Sequence, residues 1–207
     1  MNVWYVSYGS NIKYERFMCY IKGEKPEGSN KKEKGCNDQS PPRRVESIEI
    51  PYQLYFAKER SKWGKGGVAF IDHEPNGLYN TYGRMYLITD SQFCDVVAQE
   101  NNMEQITIDL LEVIANKFTR INDGWYGRIM FLGFKDGSPM FTFTSNEAFK
   151  DQSFNLPPST YLITISKGLF EIGLSIEEVV SYFLKQPGIS DHFTKTHLFH
   201  YLSLPST

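Results

Sequence analysis

Four residues in a row, Tyr8-Gly9-Ser10-Asn11, stop an apolar and aromatic run, Val3-Trp4-Tyr5-Val6, and a helix-type segment from Ile12 to Tyr20 follows. A strand that ends in a glycine turn and opens a helix leaves backbone N–H groups unpaired and aimed one way. That arrangement suits a carboxylate or a phosphate. It also suits an ordinary strand-to-helix connection in which Ser10 or Asn11 is the cap. Far along the chain, Glu100 closes a second helix-type segment, with Val96, Val97 and Met103 near it in sequence. A carboxylate in a partly dry place can act as general acid and base. The plain alternative is a solvated acid at a helix end. Tyr161, at the start of a later helix, either turns its hydroxyl to a pocket or only packs. Trp63 with Gly66-Gly67 either walls a pocket or packs tightly. Arg16 reads as a structural charge more readily than a pocket one.

Other constellations carry less. His192, His197 and His200 gather near the C-terminus, but with no paired acid or cysteine a metal site is not expected there. Cys94 reads as core rather than as a reactive thiol. The chain has no Gly-x-Gly-x-x-Gly, no phosphate-binding loop with its lysine, no Gly-x-Ser-x-Gly and no His-Glu-x-x-His.

The elements that must position these residues alternate. Residues 3–8 predict a strand and 12–20 a helix. Lys22 to Arg44 is rich in charge, Gly, Pro and Ser, lacks apolar periodicity and predicts a mobile surface loop, with a lid as the weaker alternative. Residues 48–56 predict a strand broken at Pro51. A glycine-rich turn at 64–67 feeds a buried-type strand, and residues 82–88 predict another. Asp90 or Ser91 caps a helix running to Glu100. Ile108, Leu111, Ala115 and Phe118 fall near helical spacing, so 106–118 predicts a helix, with a strand start at Ile106–Leu110 as the alternative. Residues 126–143 predict a hairpin turning at Asp136-Gly137. A helix begins at Ser159–Tyr161, and Ser175 with Glu178 forms a capping box for the next one. The aromatic and His-bearing tail after Ser190 is expected to dock on the body.

The totals narrow the class. At 207 residues one domain is expected over 1–207, with a loop insert at 21–47 and a helical C-terminal extension over 170–207. The net charge of −2 argues against a nucleic-acid partner. Three scattered cysteines predict free thiols in a reducing compartment, hence the cytoplasm. No apolar run is long enough for a membrane span, and no signal segment is expected. The 15 Phe and 13 Tyr predict an aromatic-rich core, with an aromatic-walled pocket as the sharper alternative.

Four segments, in order, resemble the γ-glutamylcyclotransferase-like family. They are Tyr8-Gly9-Ser10-Asn11 with Arg16 beyond it; Gly66-Gly67-Val68-Ala69-Phe70-Ile71 after Trp63; Tyr82-Gly83-Arg84-Met85-Tyr86 leading to Gln99-Glu100-Asn101; and Tyr161-Leu162-Ile163-Thr164-Ile165 with Gly168 and Gly173-Leu174. The chain departs from the family pattern at Asn101, where a glycine is usual, and at Phe143, where a tyrosine is common. The resemblance implies an α+β fold, a small mixed barrel-like sheet with flanking helices. It also implies a cofactor-independent activity: a γ-glutamyl amine or peptide closes on itself to 5-oxoproline. Glu100 would be the acid/base, with Tyr8, Gly9, Ser10, Asn11, Gly66, Gly67 and Tyr161 binding the substrate. Two other readings stay open. One is a non-catalytic module binding a carboxylate metabolite through the Tyr8–Asn11 turn; the other is an interaction protein using the 22–44 loop and the tail.

Overall fold

The structure, a computed structural model, describes residues 1–27 and 31–203. Residues 28–30 of the expected loop insert and 204–207 of the expected extension lie outside the described residues. The strands are β1 (Asn2–Ser7), β2 (Arg44–Ile50), β3 (Leu54–Ala57), β4 (Arg60–Ser61), β5 (Gly64–Lys65), β6 (Val68–Ile71), β7 (Thr81–Thr89), β8 (Phe118–Arg120), β9 (Arg128–Lys135) and β10 (Ser138–Thr144). The helices are α1 (Tyr14–Lys22), α2 (Asp90–Glu100), α3 (Leu110–Asn116), α4 (Ser159–Glu171), α5 (Ile176–Phe183) and α6 (Lys195–Ser203). The fold is mixed α+β, sheet with helices. The chain divides into two compact units. The first is Met1–Ser7, Tyr14–Ile48 and Arg84–Glu147; the second is Tyr8–Lys13, Glu49–Gly83 and Ala148–Thr207.

A six-stranded sheet in the order β2-β7-β1-β10-β9-β8 frames the first unit. β1 runs antiparallel to β7 and parallel to β10. A strand with neighbours on both sides has no solvent edge, which is why Val3 to Ser7 are all buried. The pairings of the described residues leave β2 and β8 at the ends of the sheet, so closure into the expected barrel is not among them. The β9–β10 hairpin turns at Asp136 and Gly137, both at positive φ (49° and 77°), as the Asp-Gly pair requires. The register slips between Met140 and Phe141, opposite Gly133 at φ 111°, a bulge that glycine accommodates.

Aromatic rings fill this unit's core. Phe17 stacks on Tyr86 with centroids 3.8 Å apart, and Tyr5 stacks on Phe143 at 5.3 Å. α2 is opened by Thr89, one residue before the expected caps: its side chain accepts from the Gln92 N–H while the Gln92 side chain accepts from the Thr89 N–H. The expected helix over 106–118 shrinks to α3. Asp109 takes the cap by accepting from the Leu111 and Glu112 N–H groups, so Ile106–Ile108 stay outside the helix and Phe118 begins β8.

The described part of the expected surface loop is tied down. Cys36 joins the core cluster, its N–H donating to Ile21 O at 2.9 Å. Gln92 Nε2 donates to the Asp38 and Ser40 carbonyls, and Asp95 accepts from the Asn37 N–H. A handful of hydrogen bonds to α2 replaces the apolar periodicity that the sequence lacks.

The second unit holds two small antiparallel pairs, β3–β6 and β4–β5, with α4, α5 and α6. β3 is buried throughout, and Phe56 exchanges main-chain bonds with the Pro187 carbonyl and the Asn155 N–H. α5 carries the expected capping box, Ser175 with Glu178. The tail forms α6, which buries Leu198 and Leu202.

Candidate functional site

Seven of the eight expected site residues fall in the second unit and one in the first. In the second, Ser10–Ile12 form a 3₁₀ turn, with the Ile12 N–H donating to Gly9 O and the Lys13 N–H to Ser10 O. Lys13 is extended at ψ 117°, so the turn is separate from α1 and does not open it as expected. Ser10 and Asn11 are buried. Gly9 has φ −110°, which any residue can adopt. The approach is close all the same: a Cβ would stand 3.1 Å from the Tyr161 hydroxyl oxygen and 3.6 Å from Ala69 Cβ. That hydroxyl accepts the Ala69 N–H at 3.2 Å, and the Tyr161 ring lies 5.0 Å from that of Trp63. Three segments remote in sequence, at 9, 69 and 161, therefore meet at one phenolic oxygen.

Gly66 and Gly67 serve a neighbouring close approach. A Cβ on Gly67 would meet Asn155 O at 2.4 Å, and one on Gly66 would meet Leu156 O at 2.4 Å. The Gly67 N–H donates to Leu156 O at 3.0 Å. The pair thus seats the chain that leads into α4, and α4 carries Tyr161.

In the first unit, Glu100 is the last residue of α2 and half-buried. Val96 and Val97 belong to the apolar core. The partners of Glu100 are polar: it accepts the hydroxyl of Tyr20, and its charge acts on Arg16. Arg16 in turn donates to the Tyr20 oxygen at 3.1 Å and to Glu33 at 2.8 Å, with its guanidinium 4.5 Å over the Tyr20 ring. The Arg16 side chain is 4% exposed and that of Glu33 18%. Burial opposes the Arg16 charge, but Tyr20, Glu100 and Glu33 outweigh it and hold the guanidinium above its ordinary value. Burial first, and then the Glu100 charge, push the Tyr20 phenol well above its ordinary value, so it stays a donor.

The helix end that carries Glu100 is pinned on both sides. Gln99 donates to Tyr20 O at 3.1 Å and accepts the Gly35 N–H at 3.0 Å. Asn101 donates to Val97 O and Tyr126 O. These are side-chain bonds that a glycine at 101 could not make.

Tyr20 and Glu33 were not read from the sequence. Tyr20 had a signal, since it lies four residues after Arg16 on one helix face. Glu33 had none, being one charge among many in a polar stretch. Among the described residues, no group of three or more His, Cys, Asp or Glu could hold a metal, and His197 and His200 are exposed on α6. No described helix is long and apolar enough to cross a membrane. A cavity of about 630 Å³ opens in the first unit beside Asp90, Cys94 and Asp95, and none of the expected site residues lines it.

No protein-family model matches the chain. A curated Arabidopsis thaliana protein named histone deacetylase 5 is 36% identical over 199 residues, covering 88% of this chain. The chain spans 30% of that relative's length. Among solved structures, γ-glutamyl cyclotransferase aligns over 88% of this chain and 86% of its own at 14% identity, with a TM-score of 0.49. YkqA from Bacillus subtilis aligns over 87% and 52% at 17% identity, with a TM-score of 0.48. Both fall under the level at which a shared fold can be read. An uncharacterized protein from Homo sapiens aligns over 93% of this chain and 91% of its own, with a TM-score of 0.53 and 16% identity. With that human protein the chain shares a fold.

Proposed function

We propose that the chain is a γ-glutamylcyclotransferase-like enzyme acting on a γ-glutamyl amine or peptide. The α-amine of the glutamyl group attacks its own side-chain amide carbonyl. The lactam C–N bond forms, the amide C–N bond breaks, and 5-oxoproline and the free amine depart. The nucleophile belongs to the substrate, so the protein supplies shape, a partner for the developing oxyanion and a proton carrier. In this reading the Tyr8–Asn11 turn holds the α-carboxylate or polarises the carbonyl, Tyr161 stands beside it, and Gly66-Gly67 keep that wall in place. Glu100 takes a proton from the α-ammonium and returns one to the leaving amine. The chemistry calls for no cofactor, and three free thiols fit work in the cytoplasm.

The observation that carries the proposal is the meeting of Gly9, Ala69 and Tyr161 in one place. They come from three of the four segments that resemble the family. The phenol that donates to Glu100 supports the acid/base role, because it gives that carboxylate a hydrogen-bond partner. The test is incubation with γ-glutamyl-L-alanine, following 5-oxoproline and alanine together. Wild type releases both in equal amounts, and Glu100→Gln lowers kcat by about 1000-fold. Unchanged turnover in Glu100→Gln removes the base assignment. Binding of the dipeptide without release of either product favours the carboxylate-binding module.

A further inference from the structure

We propose that Tyr20, Arg16 and Glu33 are a positioning relay for Glu100. The inference rests on the functional reading above and extends it from one carboxylate to the set that aims it. The donors run in one direction from a single centre. Arg16 gives N–H bonds to both Glu33 and Tyr20, and Tyr20, its oxygen held by that guanidinium, gives its own proton to Glu100. A phenol that accepts from a cation is a stronger donor, so the hydrogen bond to Glu100 is tightened from behind.

The geometry leaves the relay little slack. Tyr20 is fully buried and the Arg16 side chain almost so, with the guanidinium resting on the Tyr20 ring. Glu33 comes from outside both helices. The chain that follows it is fixed by bonds from Gly35 to Gln99 and from Cys36 to Ile21. The segment from 33 to 36 is therefore fastened to α1 on one side and to the residue before Glu100 on the other. A polar stretch that composition marks as a loop holds the helix end carrying the acid.

A packing role alone would cost stability and leave the chemistry untouched. A positioning role costs turnover. With γ-glutamyl-L-alanine as the probe, Tyr20→Phe is expected to lower kcat about 30-fold with KM moving less than about twofold. Glu33→Gln lowers kcat about 10-fold, and Glu33→Asp restores part of that loss because a shorter acid can still hold Arg16. A second readout needs no turnover. The ring carbon bearing the Tyr20 hydroxyl, followed by ¹³C NMR on tyrosine-labelled protein, shifts when Glu100→Gln puts an amide in place of the carboxylate it donates to.

The failures are distinct. If Glu100→Gln loses turnover while Tyr20→Phe and Glu33→Gln keep wild-type kcat, the relay is wrong and the function stands. If the Tyr20 signal is indifferent to Glu100→Gln, the relay is wrong at its last link, whatever the kinetics. If wild type turns over no γ-glutamyl probe, or Glu100→Gln remains fully active, both proposals fall.

Discussion

The two units build their candidate residues from opposite materials. The second uses backbone and missing side chains: Gly9 beside Tyr161, and Gly66-Gly67 against the 155–156 carbonyls. Gly168 repeats the device on α4, where a Cβ would stand 2.5 Å from the Lys13 nitrogen and 2.7 Å from the Ile12 carbonyl carbon. The first unit uses side chains and charge: a guanidinium, two carboxylates and a buried phenol. A wall made by close main-chain approaches is set by the fold and is insensitive to pH. A carboxylate held by donors can take up and release a proton.

This contrast fixes how each unit fails. In the second, adding one methyl group should be worse than removing any polar group. Gly67→Ala and Gly168→Ala drive a carbon into main-chain atoms that no rotamer change can clear. Each is expected to cost about 3 kcal/mol, by denaturant unfolding. A cost below about 1 kcal/mol at both sites would mean that these approaches are not tight. In the first unit the corresponding break is in charge. Arg16→Leu removes the guanidinium that bonds Glu33 and faces the Glu100 charge, and should cost about 2 kcal/mol. Arg16→Lys keeps the charge but loses the forked geometry, and should recover less than half of that.

The same contrast explains what the sequence made legible. The longer strands and the β9–β10 hairpin announced themselves through apolar and aromatic runs and Asp136-Gly137, and the glycine motifs pointed to close approaches. Tyr161 was named without its partner, since contact with Gly9 is a tertiary fact that no local pattern encodes. The misses lie where few bonds outweigh composition. Residues 31–43 read as free loop because their anchors are scattered: Glu33 on Arg16, main-chain groups bonded by α2 side chains, and one buried cysteine, Cys36. Ile106–Ile108 read as helix because apolar spacing cannot show that Asp109 takes the cap. Arg16 was visible as a charge, but its importance depends on Glu33, whose sequence neighbourhood is all charge.

Thiol reactivity sharpens the picture of the first unit. Burial pushes the Cys36 thiol up to about 12, and burial also raises Cys19 and Cys94. If residues 31–43 are as firmly fastened as the bonds imply, a thiol reagent at pH 8 should modify half-buried Cys94 first. Cys36 should react only at the rate of opening, at least about 100-fold slower, as read by mass spectrometry of the modified peptides. Fast labelling of Cys36 would return this segment to the free loop that its composition suggests.

The smallest effect separates the units through the helix caps. Thr89→Ala at α2 and Ser175→Ala at α5 should each cost about 1 kcal/mol, since each side chain satisfies one first-turn N–H. The two boxes close differently. Gln92 accepts the Thr89 N–H with a neutral amide, whereas Glu178 accepts the Ser175 N–H with a carboxylate. The Ser175 donors, backbone first, hold Glu178 below its ordinary range. A carboxyl lowered in the folded state stabilises above its unfolded value, and that contribution is lost as pH falls through the folded one. Acid should therefore weaken the α5 box and leave the α2 box intact. Between pH 6 and pH 3, Glu178→Gln should lose less of its Tm than wild type, while Thr89→Ala should follow the wild-type slope. Equal slopes in all three proteins would mean that the Ser175 N–H does not hold the Glu178 carboxylate in solution, and the two caps would then differ in composition but not in physics.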